Sequence, residues 1–163
     1  MNFENERLAT RLVVSEGQLL DSRDWDGWLD LYLTNAEYWI PCWRDELDST
    51  NDPKTELSMI YYSERAGLED RVYRIKTGRS LASTPLPRTC HIITPTSFKD
   101  IGNSFFEVKS NWATFSYKNG TEHYFFGGQI HTLFLDNDKM KIAKRKVLVM
   151  NEIIPNVLDI YSV

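Results

Sequence analysis

Five side chains in this sequence could ligate a soft metal or act as nucleophile and base: His91, His123, His131, Cys42 and Cys90. A Rieske iron–sulfur centre needs two cysteines and two histidines in closely spaced pairs. Cys42 is followed by Trp43 and Arg44, and Cys90 by His91 and Ile92, so neither supplies C-x-H or C-x-x-H. A two-histidine, one-carboxylate iron site needs imidazoles that converge on an acid. His123 and His131 share a face on an unbroken strand, but their separation along it is roughly 27 Å. His91 could approach one of them, although nothing in the sequence requires it. Cys90 and His91 are neighbours on a presumed strand and point to opposite faces. There is no G-x-S-x-G elbow and no glycine-rich phosphate loop. Two cysteines are too few for a disulfide framework or a structural zinc site, and half-buried free thiols are the expectation. No metal ligand, cofactor-binding residue or catalytic residue is assigned.

The densest chemistry is cationic. Between Tyr61 and His91 lie Arg65, Arg71, Arg74, Arg79 and Arg88, five of the ten arginines, interleaved with Glu64, Glu69 and Asp70. Arginine stays charged when desolvated and offers a planar fork of donors, which suits buried or interfacial ion pairs. The strip is therefore a candidate docking surface or structural ion-pair network. The plainer alternative is a solvated helix face with i,i+4 pairs such as Asp70 with Arg74. Arg74 and Arg88 are the leading candidates for burial against a partner.

The elements that position these residues follow from periodicity. Leu8, Leu12, Val13, Leu19 and Leu20 mark a first helix from about Glu4 to Asp21. Asp24 can cap a short helix that carries Trp25, Trp28, Leu29 and Tyr32 on one face. Glu37 to Ile40 reads as a strand start, and Arg44 to Lys54 as a loop. The apolar run Leu57 to Tyr62 is a strand or leads into a helix. Ser63 is a plausible cap for a helix with Leu68, Val72 and Ile75, ended by Gly78. From Phe106 to Tyr117 the pattern alternates as in a strand, and Asn119–Gly120 is a hairpin signal. A second strand follows to about Leu135, with a bulge or bend expected at Gly127–Gly128. Met140 to Ile154 reads as a third. Helices first and long antiparallel strands last is an α+β order. The tryptophans Trp25, Trp28, Trp39, Trp43 and Trp112 could line a cavity but more often form core and interface.

A chain of 163 residues with 42% hydrophobic and 26% charged content reads as one ordinary globular domain, residues 1–163. The net charge of −4 implies neither a nucleic-acid partner nor an anionic membrane. The opening MNFENERLAT lacks the apolar core of a signal peptide, and no apolar run reaches the ~18 residues of a membrane span. A cytoplasmic protein is expected.

Several strings carry a resemblance. GLEDRV-x-RI-x-TGRS at 67–80 follows S-x-IYY-x-x-R and precedes PLPRTCH. WLDLY, EYWIPCW, NDP and the late VLDIY stand in order around them. Together they resemble the small (beta) subunit of aromatic-ring-hydroxylating dioxygenases, nearest the anthranilate and benzoate 1,2-dioxygenase group, with anthranilate favoured. The resemblance implies a nuclear-transport-factor-2-like cone, with N-terminal helices packed on a strongly curved, mainly antiparallel sheet. It implies a non-catalytic structural subunit in aromatic catabolism, a homotrimer that supports three large (alpha) subunits. The Rieske 2Fe–2S cluster and mononuclear Fe(II) would lie on the large subunit, and NADH and flavin on a separate reductase. A second reading is a stand-alone, cofactor-free dehydratase or isomerase, because the cone fold hosts these too. That reading requires Tyr61, His91 or His131 to face a solvent-reachable cavity.

Overall fold

Apolar periodicity sets the helices of the computed structural model, which describes residues 2–155 and 157–163. Helix α1 spans Phe3–Asp21, capped by the Asn2 side chain, which accepts from the Glu4 amide at 3.1 Å. Its buried face is Ala9, Leu12, Val13, Glu16, Gly17 and Leu20, the three- and four-residue spacing of one helical stripe. Helix α2, Trp25–Asp30, is capped by Asp24, which accepts from the Gly27 amide at 3.0 Å. Helix α3, Arg65–Lys76, buries Leu68, Val72 and Ile75 and runs out at Thr77 and Gly78, the latter at φ +67°. Ser63 does not cap it. An extended Glu64 holds the cap position without a side-chain bond, so packing of the three apolar residues holds this helix.

Six strands form one sheet in the order β2-β1-β6-β5-β4-β3. They span Tyr32–Pro41, Ser58–Tyr62, Arg88–Gly102, Phe105–Lys118, Thr121–Asp136 and Lys139–Val149 for β1 to β6. Only β1 and β6 run parallel; the other ladders are antiparallel. β1 begins five residues earlier than its sequence suggests. β3 has few apolar residues in its second half and contains Pro95, which an edge strand tolerates. In β4 the buried set Phe106, Val108, Ser110, Trp112 and Thr114 follows the alternation. Asn119 and Gly120 turn the next hairpin with φ of +53° and +75°.

Two expectations for the later strands are corrected. No register shift falls at Gly127–Gly128; the shift in β5 lies between Thr132 and Leu133. Gly127 instead permits close approach, because a Cβ there would stand 2.0 Å from the Leu148 carbonyl oxygen. β6 stops at Val149 rather than Ile154. The Asn151 side chain then takes over the ladder, accepting from the Phe126 amide and donating to the Tyr124 carbonyl, each at 3.0 Å.

α1 lies across β3, where a Cβ on Gly17 would meet the His91 Cβ at 2.8 Å. The segment Asp159 to Val163 is buried and tied to α3. Arg71 donates through Nε to Asp159 Oδ1 at 2.9 Å and through Nη2 to Oδ2. The same Nη2 reaches Ser80 and Ser83, and Ser83 meets the Tyr161 hydroxyl at 2.7 Å. The neighbouring strings LEDRV and TGRSLAS and the distant VLDIY thus meet at one guanidinium.

That clamp is testable. With Arg71 and Asp159 side chains only 19% and 5% exposed, Asp159→Ala strands a partly buried cation and is expected to cost about 3 kcal/mol in urea denaturation. Arg74→Ala, whose pair with Asp70 is exposed on both sides, should cost under about 1 kcal/mol.

Candidate functional site

The largest concentration of buried polar chemistry lies between α1 and the sheet. Glu16, on the apolar stripe of α1, is 1% exposed. Its Oε1 accepts from Tyr32 Oη at 2.5 Å and from Trp28 Nε1 at 3.2 Å. Its Oε2 lies 2.6 Å from His131 Nε2 on β5. Arg145 on β6 places Nη1 2.9 Å from Oε1, but outside hydrogen-bond geometry, so this contact is an ion pair rather than a directed bond. Arg145 donates Nε and Nη2 to Gln129 Oε1 at 3.2 and 2.9 Å and lies over the Tyr38 ring at 5.6 Å. His131 and Arg145 are direct cross-strand partners.

Burial by itself would raise the Glu16 carboxyl. The Arg145 charge, the His131 imidazole and the Tyr32 hydroxyl outweigh that cost and hold it at about 2. Burial lowers His131, against the opposing pull of Glu16. The arrangement is therefore one anion, one cation and a neutral imidazole that donates through Nε2. Tyr32 and Tyr38 are raised, foremost by burial, and remain phenols. A network whose charges cancel, packed among Trp28, Tyr32 and Tyr38, ties α1 to the sheet. It has no lone acid or base poised toward solvent.

The candidates for cavity chemistry are not brought together. Tyr61 lies on β2 and His91 on β3, opposite edges of the sheet. The His91 side chain is 2% exposed, with Nδ1 2.5 Å from Asp21 Oδ1 and Nε2 3.2 Å from the Val163 main-chain oxygen. His131 is fully buried. A small, partly open pocket lined by Ala82, Thr89, Thr114, Lys118, Phe125 and Tyr161 has a volume of about 20 Å³, room for about one water; none of the three lines it. Among the described residues no cluster of three His, Cys, Asp or Glu could hold a metal ion, so the iron groups that the resemblance implies find no donor set in the described part of this chain. Cys42 and Cys90 are free thiols. Four tryptophans, Trp25, Trp28, Trp39 and Trp112, are buried.

The arginine strip divides. Arg71 is fixed in the clamp. Arg65 donates to the Tyr32 carbonyl and to Glu69, each at 2.9 Å. Arg74 and Arg88 are exposed within the chain, as is Arg79, which lies over the Tyr73 ring at 5.7 Å. Sequence reading missed Glu16, Gln129 and Arg145. The signal was available: each is a polar residue in the apolar phase of its element. Glu16 falls between Val13 and Gly17 on the helix stripe, and Arg145 is in step with Val147 and Val149.

The chain matches the model of the ring hydroxylating beta subunit family over residues 15–156. It is 40% identical over 151 residues to the 2-halobenzoate 1,2-dioxygenase small subunit of Burkholderia cepacia, covering 93% of this chain and 92% of that one. It is 37% identical over 163 residues to the anthranilate 1,2-dioxygenase small subunit of Acinetobacter baylyi, covering all of both chains. The solved beta subunit of benzoate 1,2-dioxygenase from Burkholderia mallei superposes with a TM-score of 0.79 at 35% identity, covering 95% of each chain. The architecture is the nuclear-transport-factor-2-like fold.

Two outcomes follow from the buried network. Arg145→Met leaves Glu16 without its cation and is expected to cost about 3–5 kcal/mol by chemical denaturation. Glu16→Gln/Arg145→Met, with no buried charge, should recover part of that loss. Stability should also fall in acid. The unfolded chain protonates its imidazole below about 6.5 and its carboxyl near 4.5, whereas the folded chain resists both. The unfolded state thus binds more protons, and stability drops as pH falls from about 6.5, with the Glu16 share lost between about 4.5 and 2. Thermal midpoints across pH 7 to 4 check this, and His131→Gln should flatten the upper part of the fall.

Proposed function

The chain belongs to the ring hydroxylating beta subunit family, and from that membership we propose that it is the non-catalytic small subunit of a terminal dioxygenase acting on an aromatic carboxylic acid. The observation that carries this is the end-to-end relation to small subunits whose enzymes are named for halobenzoate, anthranilate and benzoate. Anthranilate is the proposed substrate of the complex, supported by alignment over the full length of both chains. The role of this chain is support. Its most buried ionisable groups, Glu16, His131 and Arg145, are consumed by one another.

In this reading the iron centres that perform ring hydroxylation belong to the large subunit, and electrons arrive from a separate reductase. Three small subunits form a base for three large ones. Arg74 and Arg79 remain free to meet carboxylates of the large subunit, because their present partners, Asp70 and the Tyr73 ring, are themselves exposed. Breaking a desolvated arginine–carboxylate pair at the centre of a contact costs far more than breaking one at the rim, because the remaining charge is left buried and unpaired.

The test is co-expression, in parallel, with the large subunits of an anthranilate and of a benzoate dioxygenase. Iron should follow the large subunit, and with a reductase and NADH this chain should assemble more tightly with the anthranilate-dioxygenase subunit and support its turnover better. Arg74→Glu and Arg79→Glu should each weaken retention of the large subunit about tenfold, equivalent to ~1.4 kcal/mol. Normal retention of both variants would remove this face from the contact. Iron held stoichiometrically by the small subunit alone would overturn the supporting role.

A further inference from the structure

The inner face of the sheet carries polar side chains at adjoining positions of β4 and β5. Ser110 on β4 stands directly opposite Gln129 on β5, and His131 follows two residues on, on the same face. They are 2, 3 and 0% exposed. Strand geometry sets their Cα atoms about 5 to 8 Å apart, within side-chain reach of a common point. Each has an atom that finds no hydrogen-bond partner among the described residues: Ser110 Oγ, Gln129 Nε2 and His131 Nδ1. Arg145 Nη1 and Tyr38 Oη extend the same surface across β6 and β1, again without a directed bond.

These atoms are left over because the other end of each side chain is committed. Gln129 turns Oε1 toward two donors of Arg145, which points Nε2 away from the guanidinium. His131 gives Nε2–H to Glu16, so the neutral ring keeps a bare lone pair at Nδ1. A buried donor or acceptor left unpaired costs a sizeable fraction of a domain's whole margin of stability, and three side by side would remove much of it. Native interiors pair such groups with protein or with ordered water. The hydrogen-bonding roles here select water. The amide nitrogen can only donate, the imidazole nitrogen can only accept, and the hydroxyl does either. The bridging molecule must therefore accept from Gln129 and donate to His131. A simple anion has no hydrogen for Nδ1 and would stand near the Glu16 carboxylate. A metal cation would meet the amide hydrogens and the charge of Arg145.

We propose that a buried water bridges Ser110, Gln129 and His131 and is a constituent of the Glu16 network. It accepts from Gln129 Nε2, shares a hydrogen bond with Ser110 Oγ and donates to His131 Nδ1. By occupying Nδ1 it holds the imidazole in the tautomer that donates Nε2–H to Glu16. The site lies wholly within this chain and is independent of the supporting role proposed above.

Ser110 provides the test, because it touches neither Glu16 nor Arg145 through a hydrogen bond or ion pair. In the full chain, nuclear magnetic resonance should show an Overhauser cross-peak between water and the His131 ring hydrogen on Cε1, with the sign of a long-lived complex. A crystal structure should hold a solvent peak within hydrogen-bond distance of all three atoms. A buried hydroxyl that binds nothing is removed without loss, or with a gain, whereas one that holds a water is missed. Ser110→Ala should therefore raise the unfolding equilibrium constant about fivefold and weaken the cross-peak. Ser110→Val, whose added methyl groups take the place of the water, should abolish the peak, with circular dichroism verifying the fold of each variant. Unchanged or higher stability of Ser110→Ala would overturn the site. So would a wild-type chain without the water cross-peak at His131, or a crystal structure in which Ser110, Gln129 and His131 bond directly to one another.

Discussion

A carboxylate shut away from water sets the terms for this structure. Glu16 is placed in the core by the same helical stripe that buries Leu12, Val13 and Leu20, and an ionised group there is tolerated only with compensation from all sides. Each compensating group comes from a different element: Trp28 from α2, Tyr32 from β1, His131 from β5 and Arg145 from β6. Helix and sheet are thereby held in one register. Sliding α1 by a turn would bring Leu12 or Leu20 against Arg145 and carry Glu16 into apolar surroundings. A buried ion pair is a poor source of net stability, and its value here is that it makes the wrong packings costly.

The Arg71–Asp159 clamp applies the same logic between α3 and the segment 159–163. The buried segment from Asp159 to Val163 has no ladder hydrogen bonds of a strand or helix, so side chains perform the attachment. Arg71 and Ser83 hold it from one side, and His91, itself held by Asp21, meets the Val163 oxygen from the other. The late VLDIY string, a fingerprint when read as sequence, is physically a closure whose acid must match an arginine 88 residues earlier.

Elements with a clear period were legible in the sequence. α1 follows from its leucines, β4 from its alternation and the 119–120 turn from residues that accept positive φ. The paired glycines misled because glycine has two uses in a sheet: it can kink a strand or let a neighbouring backbone approach, and Gly127 serves the second. β6 was overextended because Ile153 and Ile154 continue the apolar run, while the strand end is marked by a side-chain amide at Asn151 that has no periodic signature. The polar core escaped notice because Glu16, Gln129 and Arg145 are distant in sequence and become partners only when the sheet order brings β5 and β6 beneath α1. The arginine strip was visible as composition, but composition could not separate Arg71, locked inside, from Arg74, Arg79 and Arg88, which face out.

That separation connects the fold to its use. A cone open at its centre offers a ligand a shaped, partly polar cavity. Here the centre is occupied by the rings of Trp28, Tyr32 and Tyr38 around a neutralised ion pair, and the pocket lined by Thr114 and Tyr161 is the size of one water. With its buried charges neutralised by one another, the chain presents free charge on the exposed arginines on and after α3 and apolar rings on the outer face of β3, β4 and β5. Arg88, the first residue of β3, belongs to both. A chain whose buried charges are paired off and whose free charges lie outside is built to present surface, and the Glu16 network holds that surface in shape.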